Sequence, residues 1–126
     1  MLKEFLFVGL GSALGGIFRY FISTLIKWDG HGFPLATFLV NVTGCLLIGL
    51  LAGFLARSSS NTLTLLFSVG VCGGFTTFST FAKEAITLYH ANNYGLCCTY
   101  VAGSVIIGLL AAALGLYFSS MPLQKL

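Results

Sequence analysis

The sequence predicts an all-α membrane protein of four transmembrane helices, with the third helix broken near the middle of the bilayer. Three observations carry that prediction. Hydrophobic residues make up 57% of the 126-residue chain and charged residues only 7%, whereas a soluble domain carries about 25% charged residues to keep its surface hydrated. The mean hydropathy is +0.99. The apolar residues fall into four long stretches with short polar connections, and a hydrocarbon core of about 30 Å takes roughly 20 helical residues per crossing. A chain this short cannot close a membrane barrel, while helices satisfy their own backbone in lipid. Four crossings leave no length for an aqueous catalytic domain. With Lys+Arg 6 against Asp+Glu 3, the net charge of +3 is too small and too scattered for a nucleic-acid-binding face.

The four spans form a single transmembrane domain over residues 1–126, at about 5–26, 34–56, 62–89 and 95–118. The first, Phe5 to Ile26, carries one charge, Arg19. It exceeds the roughly 7–15 apolar residues of a signal peptide and is read as a retained span. The connection Lys27-Trp28-Asp29-Gly30-His31-Gly32 follows, with Trp28 suited to the interfacial aromatic belt. The second span starts near Pro34, a residue favoured in the first turn of a helix, and runs uncharged to Ala56. Arg57 to Asn61 is a polar turn, the third span covers Thr62 to Tyr89, and Asn92 and Asn93 mark the next turn. The last span runs from Gly95 to Phe118, with Pro122 and Lys125 beyond it.

Four spans put both termini on one side, with Lys3, Arg57 and Lys125, against Lys27 and Lys83 on the other. So weak a bias is compatible with insertion in both orientations. The pairs Gly11/Gly15, Gly49/Gly53 and Ala111/Gly115 are spaced for close helix contact, within the chain or with a second subunit. Cys45, Cys72, Cys97 and Cys98 have no metal-binding spacing and read as small apolar packing residues.

The third span is unlike the others. Its run Gly70-Val71-Cys72-Gly73-Gly74-Phe75-Thr76-Thr77-Phe78-Ser79-Thr80-Phe81 holds three glycines and five hydroxyl- or thiol-bearing residues. Gly costs about 1 kcal/mol relative to Ala inside a helix, so a break is expected near Gly73 to Thr76. Carbonyls freed there must face protein, water or an ion; converging in a dry interior, they suit a hard cation such as sodium. Beyond the break, Phe78 and Phe81 share one helix face, and Thr77, Thr80 and Glu84 form a second stripe. Aromatic edges are electropositive, so ring edges and hydroxyls together can pass a small anion. Arg19 inside a span marks a functional site by default, and Asn41 adds two donors and an acceptor. With Glu84 placed near a segment end, no acidic residue is expected deep in the bilayer, and the interior favours anions.

The strings Gly15-Gly16-Ile17-Phe18-Arg19-Tyr20, Thr37-Phe38-Leu39-Val40-Asn41-Val42-Thr43-Gly44 and Gly70 through Phe81 closely resemble the CrcB/Fluc fluoride channel family, and the resemblance covers essentially the whole chain. It implies an antiparallel, dual-topology homodimer in the cell membrane that passively exports cytoplasmic fluoride. It also implies a central structural sodium ion held by the main-chain carbonyls of Gly73 and Thr76 from both subunits. By the same resemblance Phe78 and Phe81 line the pathway, Asn41 contacts fluoride, Ser79, Thr77 and Thr80 belong to the hydroxyl-rich stretch, and Arg19 belongs to an aqueous vestibule. Ser104 or Tyr100 is the expected polar residue of the last span.

Two other readings share the architecture. A small four-helix exporter of cationic drugs needs a membrane-embedded carboxylate, and Glu4 and Glu84 both fall near segment ends. A non-transporting membrane subunit would use the same glycines and phenylalanines only for packing. A membrane enzyme is disfavoured, because no acid/base pair or activated nucleophile is visible.

Overall fold

The computed structural model describes residues 1–121; Pro122 and Lys125 lie outside the described residues. Helix α1 spans Leu2–Leu25 and α2 spans Leu35–Ala56. Helix α3 covers residues 61–75, α4 spans Phe78–His90 and α5 spans Tyr94–Ser120. Residues 61–90 together, α1, α2 and α5 are the four segments long and apolar enough to cross a membrane.

Local chemistry fixes the ends. Glu4 stands in the first turn of α1, where the helix dipole favours a negative charge. The α1–α2 connection is closed by Gly30 at φ 87°, a left-handed conformation glycine adopts without strain. Beside it the Asp29 carboxylate accepts the N–H groups of Gly32 and His31, which holds Asp29 below the usual carboxylate range. Ser60 caps α3 by accepting the Leu63 N–H at 3.3 Å. Arg57 donates to the carbonyls of Ser119 and Met121, so a cation closes the C-terminal end of α5.

Glycine decides which helices touch. On α1, a methyl group added at Gly15 would lie 2.6 Å from the Phe75 nitrogen, and Gly11 lies equally tight against Gly70. On the other side α2 and α5 run in the same direction. Gly49 faces Leu116, and a Cβ added at Gly115 would lie only 2.8 Å from the Leu50 nitrogen. All three small-residue pairs found in the sequence contact helices of the same chain. The core is thin, with Tyr100, Leu88, Val40 and Pro34 its largest fully buried side chains. Leu10, Ile17, Phe21, Leu109 and Phe118 point outward, an apolar exterior that only lipid or more protein can cover.

The third segment bends at the far end of the expected Gly73 to Thr76 window. Gly73 keeps helical φ −63° and ψ −38°, and the chain leaves the helix at Thr76 (φ −76°, ψ 155°) and Thr77 (φ −148°, ψ 116°). Gly74 serves packing instead, since a Cβ there would lie 2.8 Å from Ser12 Cα. The sequence also gave no warning that Thr64–Cys72 winds as a π-helix. Along this segment Ser68, Cys72 and Thr76 share one side, while Gly70 and Gly74 lie against α1.

Candidate functional site at the helix break

Helices α3 and α4 meet at Thr76–Thr77, and the backbone groups released there are taken up by side chains. Asn41, half-buried on α2, pairs with both main-chain groups of Thr77: its Oδ1 accepts the Thr77 N–H at 2.8 Å and its Nδ2 donates to the Thr77 carbonyl at 3.0 Å. The Thr77 hydroxyl oxygen accepts the Thr80 N–H at 3.2 Å and so caps α4. It also lies 3.1 Å from Thr80 Oγ1 and 3.3 Å from Ser79 Oγ. Thr76 turns back, its N–H and its hydroxyl both donating to the Cys72 carbonyl. From α1, Arg19 Nε donates to the Gly74 carbonyl at 3.2 Å.

Two concavities flank this junction. One, of about 560 Å³, is lined by Asn41, Gly73, Thr76, Thr77 and Phe78 together with Cys45 and Cys72. It is mostly apolar and open to the outside. The other, of about 220 Å³, holds Arg19 with Thr37, Thr77 and Thr80. Thr77 belongs to both. Phe78 projects from the first turn of α4 and is 79% exposed. Phe81 lies inward of it, with ring centroids 5.7 Å from Phe78 and 5.1 Å from Tyr100.

The candidate residues therefore do not all converge on one point. Arg19, Asn41, Gly73, Thr76, Thr77, Phe78, Ser79 and Thr80 gather at the break, and Phe81 connects them to Tyr100. Tyr100 is fully buried, and its hydroxyl donates to Glu84. Ser104, one turn further along α5, carries a buried hydroxyl without a hydrogen-bond partner among the described residues.

Glu84 stands six residues before the end of the 61–90 span, as expected, yet it is only 8% exposed. Its two oxygens accept from Thr37 Oγ1 at 2.8 Å and from Tyr100 Oη at 2.7 Å. The interior thus holds a carboxyl group between α2, α4 and α5. The missing carboxylate consequently cannot serve as the argument against a drug exporter. The i, i+3, i+7 stripe from Thr77 pointed toward this group, but only the fold brings Thr37 and Tyr100 to it.

Comparison with known proteins identifies the family. The sequence model of the family described as "CrcB-like protein, Camphor Resistance (CrcB)" matches residues 6–116. The fluoride-specific ion channel FluC of Phocaeicola vulgatus is 39% identical over 120 residues, covering 94% of this chain and 99% of that protein. The channel of the same name from Novosphingobium aromaticivorans is 44% identical over 114 residues, 87% and 90% of the two chains. That of Paracoccus denitrificans is 43% identical over 116 residues, 92% and 94%. With four helices able to cross a membrane and likeness along nearly its whole length to these proteins, the chain belongs to the CrcB-like family of multi-pass membrane proteins.

Proposed function

We propose that this chain forms a fluoride-selective channel that passively exports cytoplasmic fluoride and lowers its intracellular concentration. One observation carries the reading: relatives at 39–44% identity, matched over nearly the full length of both chains, bear the name fluoride-specific ion channel. The site's chemistry agrees with it. Arg19 supplies positive charge beside the smaller concavity, Phe78 and Phe81 supply ring edges, and Asn41, Thr77, Ser79 and Thr80 supply donors along the junction. The unpartnered Ser104 hydroxyl and Tyr100 extend the polar set toward α5.

The working unit is an antiparallel homodimer in a lipid membrane. Its support here is the wide, mostly apolar concavity and the exposed Phe78 at its edge, which a second copy would cover. A structural sodium ion at the dimer centre would be held by the Gly73 and Thr76 carbonyls of both copies. The donor set fits: among the described residues, no backbone N–H donates to either carbonyl across the break, and uncharged carbonyl oxygens suit a hard monovalent cation. Bound there, the ion would neutralise converging carbonyl dipoles; it is not transported.

The test is a flux measurement on liposomes containing the purified protein. Fluoride is expected to leave rapidly while chloride is retained. Slow, proton-coupled or chloride-permeable flux would overturn the reading in favour of an exporter or a different channel.

A further inference from the structure

We infer that Asn41 and the Thr77 hydroxyl are the positioning groups of the carbonyl cation site, because they take the two N–H groups that would otherwise hold its ligands. The inference rests on the proposed sodium site and explains how one chain builds its half.

In a continuous α-helix each N–H bonds the carbonyl four residues earlier. Across the break, that rule assigns the Thr77 N–H to the Gly73 carbonyl and the Thr80 N–H to the Thr76 carbonyl. Neither bond forms. The Thr77 N–H goes to Asn41 Oδ1 at 2.8 Å, and the Thr80 N–H goes to Thr77 Oγ1 at 3.2 Å. The two carbonyls released in this way are those of Gly73 and Thr76. The Phe78 N–H would pair with the Gly74 carbonyl, and that oxygen instead receives Arg19 Nε. Side chains of α1 and α2 and the Thr77 cap thus act on three carbonyls of the broken turn, leaving Gly73 and Thr76 open and closing Gly74.

The arrangement is held without cost to the backbone. Asn41 returns a donor to the Thr77 carbonyl at 3.0 Å, so the residue at the break has both of its main-chain groups satisfied, as buried backbone requires. Asn41 Nδ2 keeps its second hydrogen, which remains available to an anion. The same amide can therefore hold the cation site open through its oxygen and meet fluoride with its remaining hydrogen. Helix re-closure competes with cation binding: without the Asn41 acceptor the Thr77 N–H regains Gly73 as its best partner, and the site loses a ligand.

Thermal unfolding of the full-length protein in detergent tests this, in sodium chloride against N-methylglucamine chloride at equal ionic strength. The readout is the sodium-dependent rise in melting temperature, not the baseline, since a purely structural role would lower both conditions equally. Wild type is expected to show a saturable rise. Asn41→Leu and Thr77→Val are expected to need at least tenfold more sodium for the half-maximal rise, while Asn41→Asp, which keeps the acceptor, stays within a few-fold of wild type. Thr99→Val removes an exposed hydroxyl that bonds only its own helix and should change nothing. If Asn41→Leu yields no folded protein, Thr77→Val is read alone. Wild-type sodium response in Asn41→Leu or, failing that, in Thr77→Val overturns the inference and leaves the sodium site standing. No sodium response in wild type removes the sodium site itself, and the inference with it.

Discussion

Single side chains at the break have different jobs even where the sequence makes them look alike. Thr76, Thr77, Ser79 and Thr80 form one hydroxyl run, yet Thr76 bonds back to its own helix and Thr77 caps the next. Phe78 is exposed and Phe81 half-buried. In the proposed pathway, replacing either by Ile removes the electropositive ring edge while keeping apolar bulk. Fluoride flux from liposomes should be abolished in both variants with the dimer intact by cross-linking; wild-type flux in both would remove the ring-edge argument. Glu84 gives a separate prediction. Tyr100→Phe leaves one of its oxygens without a donor in a buried site, a loss of about 1–3 kcal/mol. Thermal unfolding should show a lower midpoint than wild type, and an unchanged midpoint would mean that water replaces the hydroxyl.

At the level of elements, the two contacts that define the bundle are backbone-to-backbone. Helix α1 lies on α3 through Gly11, Gly15, Gly70 and Gly74, and α2 lies on α5 through Gly49, Gly53 and Gly115. Close approach of this kind is how membrane helices associate when lipid offers no hydrophobic drive. Gly15→Val would push α1 away from Phe75 and Gly74 at the end of α3. Overpacking of that order costs about 1–3 kcal/mol, and it would displace Arg19, one turn further along α1, from the Gly74 carbonyl. The expected outcome is reduced thermal stability together with reduced fluoride flux. Stability lost with flux per folded protein retained would separate the packing role from the site. Along the π-type winding of Thr64–Cys72 and the turn after it, Gly70 and Gly74 lie against α1 while Ser68 and Cys72 line the large concavity.

The whole molecule is a thin bundle with an apolar exterior and a polar seam. Its large concavity and the projecting Phe78 lie on the same face, and in the proposed dimer that face meets a second copy. Cross-linking of the detergent-solubilised protein at equilibrium is expected to trap a species of about twice the 13.4 kDa chain mass. A monomer that conducts fluoride by itself would sink the two-copy architecture while leaving the family membership untouched.

The chain by itself determined its solvent, its helical class and its small-residue contacts, because composition and spacing are enough to say which surfaces lipid will accept and which backbones can touch. It also marked the third segment as irregular. It placed the break within Gly73 to Thr76, and tertiary structure decided which end of that window ends the helix and what the break does. Glycines 73 and 74 look like the breakers, but the helix survives them and ends where Asn41, 36 residues away in sequence, offers the Thr77 backbone a better partner than its own helix. Glu84 looks peripheral until Thr37 and Tyr100 close over it. Hydrogen-bond partners that distant have no local signature: propensity counts what a residue prefers among its neighbours, and only folding brings the competitor for a backbone N–H into reach.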